Sequence, residues 1–283
     1  MSIDVAVTAH YKSLEGRVVI ITGGGQGIGR GYAHHFAAQG AIPIIAELNG
    51  DNAVSVQREI KEKGFEALAI QTDVASMESV TTMVNQVIEK FGRIDILINN
   101  AAVFSRITMA PFWELPLDEW DSAMNVNVTG SYYCARAVVP TMRRAKWGRI
   151  VNVTTSMDTM IRRGWTPYGP SKGALEAQSA CWSKDCEGSG VSVNVLVPGG
   201  PANTAMVPAS SSPDREAMVQ PEVMQAPIVW LMSDDSDGFN GNRLTGTGWD
   251  KTISGQAAAE KAAAPAAWPG AGQQSVWPDL QPT

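Results

Sequence analysis

Apolar positions along the chain keep changing period. Val18-Val19-Ile20-Ile21 is a β-branched run that reads as a buried strand, and Ala33, Phe36 and Ala37 then recur at helical spacing up to Gly40, which suits a helix stop. The alternation continues with a strand over 41–46, a helix over 51–63 that carries Ala53, Val54 and Ile60 before Gly64, and a strand over 67–70. Ser76 caps a helix running to Lys90 with a stripe of Val80, Met83, Val84, Val87 and Ile88, and 94–98 is a fourth strand. Trp120, Met124, Val128, Tyr132, Ala135 and Val139 predict the inner face of one helix over 119–142. Strands over 149–153 and 191–197 flank a helix that opens at Tyr168, and a helix through Ile228, Val229, Trp230 and Leu231 precedes a last strand over 240–246. This alternation predicts an α/β fold, a doubly wound parallel sheet with ligands at the C-terminal ends of its strands.

Chemistry gathers at those ends. Thr22-Gly23-Gly24-Gly25-Gln26-Gly27-Ile28-Gly29 joins the first strand to the first helix. Side chains at Gly23, Gly27 and Gly29 would hold the backbone away from a pyrophosphate, whose charge suits the free N–H groups of a helix N-terminus. Glu47 ends the second strand, where a carboxylate accepts both ribose hydroxyls of an adenosine and repels a 2′-phosphate, so NAD is expected over NADP. Asp73 follows the third strand and either bonds an adenine amino group or caps the next helix. Asn99 ends the fourth, as a fixer of the sheet edge and the cofactor ribose or as a plain turn residue. Asn127, inside a half-buried helix, is a satisfied surface amide or marks a functional kink.

Tyr168 and Lys172 are one helical turn apart, so their polar ends can converge, and a close ammonium would move the phenol toward a working acid/base. Thr155 stands at the end of the fifth strand, with its hydroxyl available to a substrate oxygen.

In order and spacing, the glycine turn, Asp73, Asn99-Asn100-Ala101, Asn127, Thr155, Tyr168-x-x-x-Lys172 and Pro198-Gly199 resemble the short-chain dehydrogenase/reductase family over roughly residues 14–250. The resemblance implies a single Rossmann domain with a parallel sheet of about seven strands. It implies that Tyr168 transfers a proton, Lys172 holds the nicotinamide ribose and lowers the tyrosine pKa, Asn127 holds a relay water near Lys172, and Thr155 takes a serine's place. Cofactor contacts are implied for Gly23, Gly25, Gln26, Gly27, Ile28, Gly29, Glu47, Asp73, Val74, Asn99, Ala101, Pro198 and Gly199, besides Tyr168 and Lys172. Three positions depart from the family pattern. Threonine replaces serine at 155, with Ser156 as an alternative hydroxyl donor; Ala102 replaces a glycine; and Asn203 stands where a threonine is frequent, which moves the nicotinamide contact to Thr204. The implied activity is NAD-dependent transfer of hydride between nicotinamide and a secondary alcohol or ketone. Its rivals are an NADPH-dependent carbonyl or oxoacyl-carrier reductase and a non-catalytic NAD(H)-binding regulator. The family's assemblies imply a homotetramer or dimer.

Substrate contacts are expected from Phe104, Met157, Met160, Trp165 and Met206, an apolar and adaptable set for a medium-sized small molecule. Arg106, Arg162 and Arg163 are carboxylate binders or, more commonly, solvated loop residues. Residues 208–213 read as a lid segment, 1–13 as a surface arm and 251–283, with Trp268 and Trp277, as an extension docked on its own or a neighbouring subunit.

Composition narrows the classes further. The 283 residues are 44% hydrophobic, enough for a large core, and the net charge of -6 without a basic stripe disfavours nucleic acid and anionic membranes as partners. With no apolar run near the ~20 residues that span a bilayer and no signal-like start, a cytoplasmic protein is expected. Cys134, Cys181 and Cys186 lack metal or disulfide spacing and read as packed free thiols, and no metal site is expected.

Overall fold

The computed structural model describes residues 9–104, 110–204, 207 and 214–268. The first half runs β1 (Val18–Thr22), α1 (Gly27–Ala38), β2 (Ile42–Glu47), α2 (Gly50–Glu62), β3 (Leu68–Gln71), α3 (Met77–Phe91) and β4 (Ile96–Asn99). Then come α4 (Leu117–Met124), α5 (Ser131–Ala145), β5 (Gly148–Val153), α6 (Met157–Met160), α7 (Tyr168–Asp185) and β6 (Val191–Val197). The chain closes with α8 (Gln225–Met232), β7 (Asn242–Thr245), α9 (Gly255–Ala262) and β8 (Ala263–Pro265).

The strands form one sheet in the order β3-β2-β1-β4-β5-β6-β7-β8. The first seven in sequence are parallel, in a single α/β Rossmann-like domain. The expected seven become eight because β8, from the C-terminal extension, pairs antiparallel with β7 and covers an edge that would otherwise present unpaired backbone groups.

Every residue of β1 is buried, because helices cover both faces of the sheet. Val19 and Ile21 face a layer with Tyr32, Phe36 and Trp230, while Val18 and Ile20 face one with Met83, Val87, Cys134 and Val138. Ser76 caps α3 by accepting from the Ser79 amide, as its sequence position suggested. Among the thiols, Cys134 and Cys186 are buried and Cys181 is exposed, all three free.

The long helix expected over 119–142 is interrupted. A π-helical stretch at Asn125–Gly130 separates α4 from α5, and its wider turn rotates the faces relative to a regular helix. The inner face therefore holds Ala123, Asn127, Gly130, Ser131, Cys134, Val138 and Met142, whereas Trp120 and Tyr132, placed inside by the 3.6 period, are exposed. Gly130 is required at this contact, since a Cβ there would stand 2.9 Å from the Val74 Cγ2.

The extension docks on its own chain through Ala258, Ala259, Ala266 and Ala267, whereas Trp268, expected to dock, is 48% exposed and Trp277 lies outside the described residues. Trp230 of α8 packs against Phe239 and Trp249 at ring distances of 5.2 and 5.8 Å, and Gly255 at the start of α9 lies directly on its indole. No helix among the described residues is long and apolar enough to cross a membrane.

Candidate functional site

A cavity of about 500 Å³ opens at the C-terminal ends of the strands, where the chain order reverses between β1 and β4. Ile28, Asn100, Thr155, Tyr168, Lys172 and Pro198 are among the residues that line it.

The glycine turn is fixed from below. Thr22 Oγ1 accepts from the amides of Asn100 and Ala101 at 3.0 Å each, and Asn100 Nδ2 donates back to the carbonyls of Thr22 at 3.0 Å and Gly23 at 3.2 Å. Gly23 has φ +63° and Gly29 lies against the Gly23 carbonyl, so a Cβ at 29 would run into that oxygen. Gln26 precedes α1 without a side-chain cap, and the first turn holds no acidic residue, which leaves the helix N–H groups open toward an anion. Gly25 donates its amide to Glu47 Oε2 at 3.0 Å, and Asn49 donates to Oε1 at 3.2 Å, so the carboxylate is held at the edge of the same turn. These features fit the phosphates and adenosine ribose of a dinucleotide.

Asn99, expected beside the ribose, is instead sealed in the sheet layer at 2% exposure, its Nδ2 on Asn152 Oδ1 at 2.8 Å and on the Ser131 carbonyl. Asn100 is the asparagine on the cavity. Successive strand residues point to opposite faces, so the Asn-Asn pair itself carried the signal that one of the two had to face away. Asp73 remains exposed at the end of β3 with Oδ1 on the Ala75 amide at 2.9 Å, while the capping of α3 falls to Ser76. Val74 is buried against Gly130. Asn203 is occupied with Gln220 and Arg215, whereas Thr204 lines the cavity beside Gly27 along with Pro198 and Gly199.

On the other wall, Thr155 and Tyr168 line the cavity together, and the Thr155 hydroxyl pulls the phenol pKa down. Ser156 also lines the cavity, but its hydroxyl caps α6, with the Thr159 amide at 3.3 Å and the Thr159 hydroxyl at 2.7 Å. Lys172 is 2% exposed, donates to the Val153 carbonyl at 2.8 Å and stands 5.8 Å from the Tyr168 ring centre. Burial pushes the Tyr168 phenol up to about 12, against the pull of Thr155, and lowers the Lys172 ammonium to about 8. The expected lowering of the phenol by Lys172 is not seen in the protein alone, where burial sets the direction.

Asn127 occupies the π-helical stretch, which answers why a polar amide interrupts the helix. Its side chain accepts from the Val103 amide at 2.8 Å and donates to the Val103 carbonyl and to Ser171 Oγ at 2.9 Å. Ser171 in turn donates to the Tyr168 carbonyl. The Asn127 side chain thus ties the loop carrying Phe104 to the first turn of α7.

Phe104, Trp165 and Tyr168 form an aromatic cluster with ring distances of 4.8 to 6.1 Å, and the first two line the cavity as expected. Met160 does not: it is buried beneath α7, with its carbonyl against Gly169. Met157, at the start of α6, is also absent from the lining, because the short helix turns Asp158, Thr159 and Arg162 toward the cavity instead. Arg162 lies over the Trp165 ring at 5.0 Å. Arg106, Met206 and residues 208–213 lie outside the described residues. No cluster of metal-ligating side chains occurs among the described residues.

Residues 17–215 match the short chain dehydrogenase family, and the chain belongs to it. An uncharacterized oxidoreductase of Thermotoga maritima is 38% identical over 164 residues, 58% of this chain and 63% of that protein. The 3-oxoacyl-[acyl-carrier-protein] reductase FabG of the same organism is 30% identical over 81% of this chain and 95% of its own. Among solved structures, a protein described as an NAD(P)-dependent gluconate 5-dehydrogenase from Beutenbergia cavernae, with bound NADP, superposes with a TM-score of 0.75. It is 30% identical and the match covers 83% of this chain and 96% of that one. The chain is thus an oxidoreductase-family protein with a site for a nicotinamide cofactor.

Asn100→Ala removes two hydrogen bonds that hold the glycine turn, at about 0.5–1.5 kcal/mol each. NADH binding, followed by its fluorescence, should weaken by about tenfold; wild-type affinity would show that the turn keeps its shape without that side chain.

Proposed function

We propose that the protein is an NAD-dependent oxidoreductase acting on a secondary alcohol or ketone of a medium-sized, mostly apolar small molecule. The observation that carries this reading is the grouping of Thr155, Tyr168 and buried Lys172 on one wall of an aromatic-lined cavity at the mouth of the glycine turn. The nicotinamide, when bound, donates or accepts the hydride. Tyr168 gives its phenolic proton to the carbonyl oxygen during reduction and takes it back during oxidation. Thr155 holds that oxygen and supports the phenolate by donating to it, and Lys172 supplies positive charge to the nicotinamide ribose and to the phenol. Gly23, Gly25, Gly27 and Gly29 admit the pyrophosphate, with Gln26 and Ile28 at its side; Glu47 takes the adenosine ribose, and Asp73, Val74, Ala101 and Thr204 complete the contacts. Phe104 and Trp165 pack against an apolar or ring-containing substrate.

The second reading, an NADPH-dependent oxoacyl-carrier reductase, draws support from similarity to FabG. Glu47 favours the first, because its carboxylate at the turn would repel a 2′-phosphate. Exposed Trp120 and Tyr132 on the α4–α5 face support a homodimer or homotetramer built there, and the location we propose is the cytoplasm.

Absorbance at 340 nm with NADH across cyclic and aromatic ketones, and with NAD across the matching alcohols, tests the activity. Tyr168→Phe should lose about 10²–10⁴-fold in turnover while binding NADH as the wild type does; undiminished turnover would remove Tyr168 from the mechanism. For cofactor choice, kcat/KM with NADH should exceed that with NADPH by about tenfold or more, and Glu47→Ser should narrow the gap. Equal use of both cofactors by the wild type would contradict the assignment of Glu47.

A further inference from the structure

Behind Thr155 lies a buried ion pair that the mechanism above leaves unused. Glu176 of α7 is fully buried and Arg243 of β7 is 8% exposed. Arg243 Nη1 donates to Glu176 Oε2 at 2.7 Å, and the same carboxylate oxygen accepts from the Thr154 hydroxyl at 2.8 Å. The second guanidinium nitrogen, Nη2, donates to the main-chain carbonyl of Thr155. A planar guanidinium held on one side by a carboxylate presents its other nitrogen in a fixed direction. Here that direction ends on Thr155, which lines the cavity beside Tyr168.

The C-terminal extension completes the arrangement. After β8 the chain passes over this pair, with Ala266 and Ala267 buried, and the Ala267 amide donates to Glu176 Oε1 at 3.3 Å. Ala267 has φ +74°, a conformation that costs a residue with a Cβ and that persists only where its surroundings hold it. Glu176 also lies one helical turn beyond Lys172, so α7 carries the proton-transfer pair and the anchor of Arg243 on one buried face.

We infer that Arg243, oriented by Glu176 and roofed by residues 266–267 of the extension, is a positioning residue that sets the Thr155 hydroxyl against Tyr168. The inference rests on the proposed role of Thr155 and Tyr168. Buried ion pairs give little net stability against apolar replacements, so a pair retained at this place is better accounted for by the geometry it imposes. Lys172, Asp158 and Arg162 are the other charged groups facing the cavity beside Tyr168, and among the described residues none of them hydrogen-bonds or ion-pairs with Arg243 or Glu176.

The test uses the full chain with fluorotyrosine incorporated, the Tyr168 fluorine resonance being assigned by its absence in Tyr168→Phe. The titration midpoint of that resonance is compared in wild type, Arg243→Lys, Glu176→Gln and, as control, Arg149→Lys, which disturbs a different buried arginine paired with Asp237. The Glu176→Gln/Arg243→Met double variant removes both charges together and serves if either single variant fails to fold. The midpoint should rise in the Arg243 and Glu176 variants, because the hydrogen bond that favours the phenolate is loosened, and should stay in place in Arg149→Lys. Where turnover is measurable, kcat should fall about tenfold with the KM for NADH unchanged. A midpoint and kcat unmoved in folded Arg243 and Glu176 variants would overturn the inference and leave the pair a purely structural device. Absent turnover in the wild type would instead count against the oxidoreductase reading, and the fluorine titration would still decide the role of Arg243.

Discussion

Helix α7 is seated on the sheet through polar groups, and the site depends on that seating. Its buried residues are Gly169, Ser171, Lys172, Leu175, Glu176, Ser179 and Ser183, of which only Leu175 offers a large apolar side chain. A polar group taken out of water costs free energy unless it finds a partner, so each of these side chains is bound to a defined acceptor or donor. Ser171 meets Asn127, Lys172 meets the Val153 carbonyl, Glu176 meets Thr154 and Arg243, and Ser179 meets Asn152. Hydrophobic contact alone would let the helix slide or rotate at small cost. Paired polar groups fix it to within a hydrogen-bond length, which is the tolerance that the proposed proton transfer from Tyr168 requires.

The same arrangement explains the loops. Asn127 connects α7, through Ser171, to the Val103 backbone and so places Phe104, while the π-helical stretch lets that amide enter a helix that would otherwise carry an apolar residue there. On the opposite wall Thr22 and Asn100 lock the glycine turn to the end of β4. The cavity thus lies between two rigid supports, one for a dinucleotide and one for the acid/base pair, and the C-terminal extension is fastened to the second of them through Glu176.

Strands were readable in the sequence because both faces of the sheet are covered, which turns β1 into an unbroken β-branched run and leaves β6 apolar except at Ser192 and Asn194. The glycine turn and Glu47 were readable because backbone approach and charge dictate residue type there. Four features were not. The π-helical turn was marked only by Asn127, whose kink was one of two readings, so the period of 3.6 carried Trp120 and Tyr132 to the wrong face. The choice between Asn99 and Asn100 depends on where the strand ends, a matter of one residue. Met160 and Met157 were assigned from loop position, yet the short helix α6 buries the first and turns the second off the cavity. The eighth strand escaped notice because Ala263–Pro265 is too short and too rich in alanine to show a β pattern.

The central claim is that the Tyr168 phenol on the cavity wall moves the proton, and the pH dependence of both reaction directions tests it most directly. With burial holding Tyr168 up to about 12, the protonated form dominates through the neutral range and reduction needs that form, so ketone reduction should be full near neutrality and fall only in alkali. Alcohol oxidation needs the phenolate and should rise with pH, less steeply once Lys172 loses its proton above about 8. Opposite slopes in the two directions would support the account; oxidation that runs faster in acid than in alkali, or rates indifferent to pH in both directions, would contradict it.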